Sequence, residues 1–404
     1  MKPSILISLA ALACLTAVAR ADVVTDWNIV ADDIVDASPL TTPEANRVFA
    51  IVNTASFRAA NAITHRYGGN PGAHPASEAA SVDAAIAAAH HLTLSGLAPM
   101  QKAALEAAYA SALAKIPDGA AKVAGLKIGE REAAATLALR ANDGANAAET
   151  YRPFTKPGVY VPTGIPAVPQ WPGRKPWLMK GATQFRPVPP PALGSALWAR
   201  DFNEIKAVGA QASSVRTAEQ TAIARFWETR RPTIYHGILR SVANQPGRDV
   251  TQNARLFMAA AQATDDAIIA VFDAKYAFNF WRPITAIRNG DQDGNDATER
   301  AAAWLPLIDT PPHPEYPCAH CIVAAAVGAV LAADIGDGPT PLLTTTSASA
   351  GGAARSWKSI DEFVQEVSAA RIYDGVHYRN STEVAVVMGR KIGALAIAAH
   401  YSKP

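Results

Sequence analysis

The chain has 404 residues, 49% of them hydrophobic and 18% charged, a composition that folds rather than one that stays disordered. Its 37 Lys and Arg against 35 Asp and Glu leave no electrostatic footprint for a nucleic-acid partner. Three cysteines are too few for a disulfide-stapled scaffold.

Residues 1–21 read as a secretory signal: Lys2 is basic, Ile5 to Val18 is apolar, and Ala19-Arg20-Ala21 forms a cleavage site before Asp22. Cleavage there removes Lys2, Arg20 and Cys14, leaving 35 basic against 35 acidic residues and only Cys318 and Cys321. The expected location is the bacterial periplasm or the exterior, where thiols oxidise. No later apolar run reaches the roughly 20 residues of a membrane span; Ile322 to Ala333 is about half of that.

The periodicity after the signal is helical nearly throughout, and the expected fold is all-α. Thr42-Pro43-Glu44 is a helix start, with a capping hydroxyl followed by proline. Val48, Ile51, Val52 and Ala55 then form one apolar stripe. Similar patterns cover 77–94, 99–115 and 121–140, then 196–208, 218–230, 251–277, 318–334, 359–370 and 382–400. No run of alternating β-branched residues stands out. Three parts are expected: helical 22–150, proline-rich 151–195, and helical 196–404 with the chemistry. Trp171, Trp177, Leu178 and Phe185 within the proline-rich part favour an ordered strap across the bundle over a flexible linker. Asp291, Asp293 and Asn295 begin like a calcium loop, but Ala302 stands where the bidentate Glu belongs.

Three clusters carry chemistry. In the first, Lys275 and Arg282 are seven residues apart, about two helical turns, which puts both cations on nearly one face before Pro283 ends the helix. Phe278, Phe280 and Trp281 around them imply partial burial, and a buried cation needs an anion. In the second, a rigid run from Pro311 through His313, Pro314 and Pro317 leads into an apolar helix beginning at Cys318. Pro317 in its first turn would leave the next N–H groups free for an oxyanion, within reach of His320. In the third, an Asp374-Gly375 turn would let Arg371 and His377 face one site. Arginine clamps tetrahedral anions, and a histidine among cations can be a nucleophile toward phosphorus or a donor to vanadium.

Together these clusters resemble the three motifs of the vanadium-dependent haloperoxidase and type-2 phosphatidic acid phosphatase superfamily: K-x6-RP, PSGH and SR-x5-H-x3-D. Lys275, Arg282 and Pro283 match the first; Pro317 and His320 match the second; Arg371 and His377 match the third. The resemblance runs from about Thr42 to the C-terminus and, with the proline-rich strap, favours the haloperoxidase branch and its all-α helical bundle. It implies that His377 is the ligand of vanadate, or the nucleophile that becomes phosphohistidine in a phosphatase. Lys275, Arg282 and Arg371 would neutralise the oxyanion, with N–H groups near Ala319 assisting and His320 as acid/base. His313 falls where bromide-preferring members carry a histidine. Substrates would be halide and hydrogen peroxide with vanadate as cofactor, or a phosphate ester with none.

The chain departs from the motifs at Cys318 for Ser, Ala319 for Gly, Ala370 for Ser and Ser381 for Asp. Without that aspartate, His377 needs another orienting partner; Glu383 or a backbone carbonyl is expected, with Ser381 capping the last helix. A free thiol at Cys318 would be oxidised by peroxide or hypohalite, whereas a Cys318–Cys321 disulfide would spare both sulfurs. A zinc site and a redox-active pair are the other readings of Cys-x-x-Cys, so a non-catalytic oxyanion-binding or thiol-redox protein stands as a third function.

Overall fold

A computed structural model describes residues 22–68 and 79–401; the secretory signal read from the sequence lies outside these. The all-α expectation holds. Helices α1 (Val23–Asp36), α2 (Thr42–Thr64), α3 (Val82–Leu97), α4 (Lys102–Ala114) and α5 (Ala120–Arg140) form the first half. The second half holds α6 (Ala196–Val208), α7 (Ala218–Phe226), α8 (Thr233–Ala243), α9 (Val250–Phe278) and α10 (Pro283–Arg288). It closes with α11 (Ala319–Ile335), α12 (Ile360–Tyr373) and α13 (Arg379–His400). Helices α1, α8 and α10 were not expected. Nor was a small antiparallel hairpin, β1 (Leu343–Ser347) with β2 (Ala353–Trp357), in register Leu343 to Trp357.

Helix starts follow side-chain chemistry. Thr41, one residue before the expected Thr42, caps α2 in a reciprocal pair with Glu44. Asp22 does the same for α1 with Thr25. The core is organised around α9, which is buried on all sides from Leu256 to Lys275 and packs against α2, α11 and α13. Gly389 of α13 lets that helix lie directly on α11, since a Cβ there would sit 2.2 Å from the carbonyl oxygen of Ile322.

The proline-rich segment is packed on the bundle. Arg174, fully buried, donates to both Asp265 oxygens at 2.7 and 3.0 Å and to Asp143 at 2.9 Å. Asp266 accepts from the N–H groups of Trp177, Leu178 and Met179 at 2.7 to 2.9 Å. Asp273 pairs with Arg186 through two bonds. Three acids on α9 thus supply acceptors for a stretch whose prolines offer few donors. Replacing Asp265 by alanine would leave Arg174 short of its principal counter-charge, and the loss is expected to be about 3–5 kcal/mol. Urea unfolding of Asp265→Ala checks this; a loss below about 1 kcal/mol would contradict it.

The strap also reaches the site. Tyr160 N–H donates to Asn279 O at 2.8 Å and Trp281 N–H to Gly158 O at 3.0 Å, fixing the link between α9 and α10. Asp293 is occupied by Trp198 Nε1 and the Thr298 hydroxyl, a structural role for the acidic loop.

His90 on α3 is buried against Trp27, with Nδ1 on the Ile86 carbonyl and Nε2 without a partner. Burial lowers its pKa from 6.5 to about 4, so the fold holds it neutral. A depressed histidine pKa contributes stability above pH 6.5 that is lost as pH falls toward 4, here on the order of 3 kcal/mol. His90→Leu should therefore flatten the fall of Tm between pH 7 and 4.5. An unchanged slope would contradict it.

Candidate active site

The three motifs meet at one place, though not by the geometry their spacing suggests. Helix α9 ends at Phe278, because Asn279 turns left-handed with φ 49°. Lys275 lies in its last turn, while Arg282 is extended and caps α10, with Pro283 opening that helix. The two cations converge through a chain reversal, not through a shared helical face. Pro317 likewise precedes its helix: Cys318 is the N-cap of α11, and Ala319 is the first helical residue. The Asp374-Gly375 turn forms as expected. Gly375 has φ 83° and lies so close to Gly209 O that a Cβ would approach it to 2.4 Å. This turn folds His377 back until its N–H donates to Arg371 O at 3.1 Å.

A cavity of about 390 Å³ opens over this junction, and His313, Ala319, His320, Arg371 and His377 line it. Its upper walls are largely apolar, with Leu40, Pro43, Tyr235, Phe272 and Val323, and Arg230 stands at the exposed end without a side-chain partner among the described residues. Lys275, Arg282 and Cys318 do not line the cavity. Lys275 is buried behind it, its Nζ donating to the carbonyls of Pro314 and Glu315 at 3.0 and 2.8 Å. Burial, then the nearby Arg282, holds its ammonium well below the usual amine range, while Glu315 pulls the other way. Arg282 donates to His313 O at 2.8 Å, to His313 Nδ1 at 2.9 Å and to Val376 O at 2.8 Å.

His377 is 1% exposed. Its Nδ1 lies 2.8 Å from Glu315 Oε1, and Arg282 Nη1 lies 3.3 Å from Nε2. A carboxylate only accepts, so Nδ1 carries the proton and Nε2 presents a lone pair toward the guanidinium. Burial, then Arg282, Lys275 and Arg371, keep this imidazole neutral by holding its pKa well below 6.5. His320 has the opposite attachment: Nε2 lies 2.9 Å from Thr229 O, so Nε2 is the donor and Nδ1 is left with a lone pair. Burial and Arg371 lower its pKa well below 6.5 too.

Arg371 donates through Nη1 to Trp227 O at 2.9 Å and pairs with Asp374 at 2.8 Å, yet its Nε is buried without a partner. The N–H groups of Ala319 and His320, at the start of α11, also have no partner among the described residues. Several donors with unmet capacity, in a cluster of cations at a helix N-terminus, fit a small tetrahedral oxyanion such as vanadate or phosphate. The methyl group of Ala319, in place of the motif glycine, leaves its N–H free.

Cys318 and Cys321 form a disulfide, both fully buried, and Cys318 Sγ accepts from Cys321 N–H as the helix cap. The sulfurs are away from the cavity, so neither an oxyanion nor a thiol-exchange partner reaches them. Ser381 is not a cap: α13 starts at Arg379, and Ser381 is buried in its first turn. Glu383 is exposed and far from the role considered for it. The acid that meets His377 is Glu315, to which none of the three motifs points. Burial raises its carboxyl to about 7, opposed by Lys275 and Arg282. A lone carboxylate set between Pro314 and Tyr316, without a basic residue beside it in sequence, was the available signal.

Comparison with known proteins agrees with this fold. Residues 255–403, which hold all three motifs, match the family model described as the VCPO second helical-bundle domain. Over most of its length the chain has the fold of vanadium haloperoxidases. A bacterial vanadium-dependent iodoperoxidase superposes with a TM-score of 0.80 at 24% identity, covering 93% of this chain and 95% of that one. Apo-type bacterial vanadium-dependent chloroperoxidase gives a TM-score of 0.74 at 19% identity, covering 90% and 95%. Its holo-type structure gives 0.69 at 19%, covering 92% and 95%. No curated protein sequence matches. The resemblance first carried by the motif residues is thus carried by the fold as well.

Proposed function

We propose that the protein is an exported vanadium-dependent haloperoxidase that oxidises halide with hydrogen peroxide. The observation that carries this reading is a neutral His377 with its Nε2 lone pair at a cluster of unmet oxyanion donors. His377 Nε2 would be the ligand, with Arg371 Nε and the N–H groups of Ala319 and His320 holding the oxygens. Lys275 and Arg282 act from behind, through charge. Bound vanadate would supply a Lewis-acidic centre that makes peroxide a better oxidant toward halide. His320 Nδ1, open to the cavity, would take the proton that peroxide must lose, and burial and Arg371 favour its return by keeping the imidazole weakly basic. The absence of a thiol from the cavity supports an oxidative chemistry, because a free thiol would be consumed. The apolar walls favour an organic acceptor with an apolar body.

Export rests on the signal-like sequence before Asp22, the residue whose side chain caps α1. Among the described residues no helix is long and apolar enough to cross a membrane. A mature mass beginning at Asp22 checks the cleavage.

The same donors would bind phosphate, so the decisive assay runs both reactions. Purified protein with bromide, hydrogen peroxide and a phenolic acceptor should brominate only after vanadate is added. Vanadate-inhibited hydrolysis of p-nitrophenyl phosphate, without bromination or iodination, would instead assign a phosphatase acting through a phosphohistidine.

A further inference from the structure

We propose that Glu315 is the positioning residue of the oxyanion site, fixing His377 from the loop before α11 in place of an acid on α13. The proposal rests on His377 being the residue that holds the oxyanion. The geometry is specific. Glu315 is fully buried, and its Oε1 accepts from His377 Nδ1 at 2.8 Å and from the N–H of Tyr378 at 3.1 Å. One oxygen therefore grips both the ring and the backbone just beyond it. Lys275 Nζ donates to the Glu315 carbonyl, and Glu315 N–H donates to Phe280 O at 2.9 Å, so the residue is braced by the segment between the first-motif cations.

Among the described residues no other carboxylate competes for the ring. Asp374 is engaged by Arg371 and the Val376 N–H. Asp201 accepts from Asn380 N–H and Arg200, and Glu204 pairs with Arg379. Ser381 is the remaining neighbour. It is buried with its hydroxyl beside Glu315, and neither that hydroxyl nor Glu315 Oε2 has another partner among the described residues. Position 381 is therefore small where a second acid would collide with Glu315. Two carboxylates in this buried space would repel, and one would have to take up a proton. Positions 315 and 381 can carry one positioning acid between them, on either element.

This interchange predicts a pattern that a purely structural Glu315 would not give. Four variants are compared with wild type: Glu315→Ala, Glu315→Gln, Ser381→Asp, and Glu315→Ala combined with Ser381→Asp. Orthovanadate affinity is measured by titration, and the His377 tautomer by ¹⁵N NMR of the vanadate-free protein. Glu315→Ala should weaken vanadate about 10–100-fold and lose the fixed Nδ1–H tautomer. Glu315→Gln keeps an acceptor oxygen and should lose less. Ser381→Asp alone should also weaken binding, whereas the double variant should recover to within about threefold of wild type, a strongly non-additive cycle. Wild-type affinity and tautomer in Glu315→Ala would overturn the proposal. So would a double variant no better than folded Glu315→Ala. If Glu315→Ala does not fold, Glu315→Gln and the double variant carry the same comparison. If wild type binds no vanadate, the reading of His377 fails, and the tautomer measurement still decides the role of Glu315.

Discussion

Replacing His377 with alanine is expected to abolish stoichiometric vanadate binding and to lower halogenation by at least about 10³-fold, roughly 4 kcal/mol of transition-state stabilisation. The imidazole is neutral, held by Glu315 through Nδ1, and offers its Nε2 lone pair among the cations at the cavity floor. Its neighbours Arg371, Arg282 and Lys275 attract an anion without forming a bond to its central atom. In the variant the cations remain, so weak, salt-sensitive anion binding should persist while tight binding disappears. Phosphatase activity, if that is the chemistry, should vanish equally, because the phosphohistidine would have no nitrogen on which to form. Retained turnover would sink the site assignment. A thermal unfolding curve near that of wild type keeps the result interpretable.

His320→Ala is expected to separate binding from turnover. The N–H of residue 320 belongs to the backbone and survives the substitution, so vanadate affinity should stay within a few-fold of wild type. The lost group is the Nδ1 lone pair, which Thr229 fixes in orientation by accepting from Nε2 at 2.9 Å. Removing a positioned acid/base typically costs 10²–10⁴-fold, and the loss should fall on kcat. Burial and Arg371 depress the pKa of this histidine, so it is an unprotonated base well below pH 6.5. The wild-type rate should therefore not collapse on acidification from pH 7 to 6 through protonation of His320. Unchanged kcat in His320→Ala would remove it from the mechanism.

The sequence carried the fold class and the residues of the site more fully than their arrangement. Helix α6 falls on its expected bounds, because its apolar stripe and Ser195 cap are local signals. The Asp374-Gly375 turn was legible for the same reason. Helix α8 was missed despite Ile234, Ile238, Leu239 and Val242 on one face, since Pro232 obscured its start. The β1–β2 hairpin buries Leu343, Thr345 and Ser347 on one side, too polar a pattern to stand out. At the site, Lys275 and Arg282 were paired by helical periodicity, whereas a left-handed Asn279 and the strap bridge bring them together. The apolar pattern of the last helix points to a start at Thr382 with Ser381 as cap, three residues after the true start at Arg379. Glu315 had only a weak local signature, a lone carboxylate between Pro314 and Tyr316. Its partnership with His377 spans 62 positions and exists only once α11 and α13 are packed side by side.

The most direct measurement is a titration of the purified, metal-free protein with orthovanadate at fixed pH, repeated in the presence of inorganic phosphate. One vanadate should bind per chain, phosphate should compete for the same site, and His377→Ala should remove the stoichiometric phase. The absence of a stoichiometric phase in wild type, or its survival in His377→Ala, would contradict the assignment of this cavity as a vanadate site.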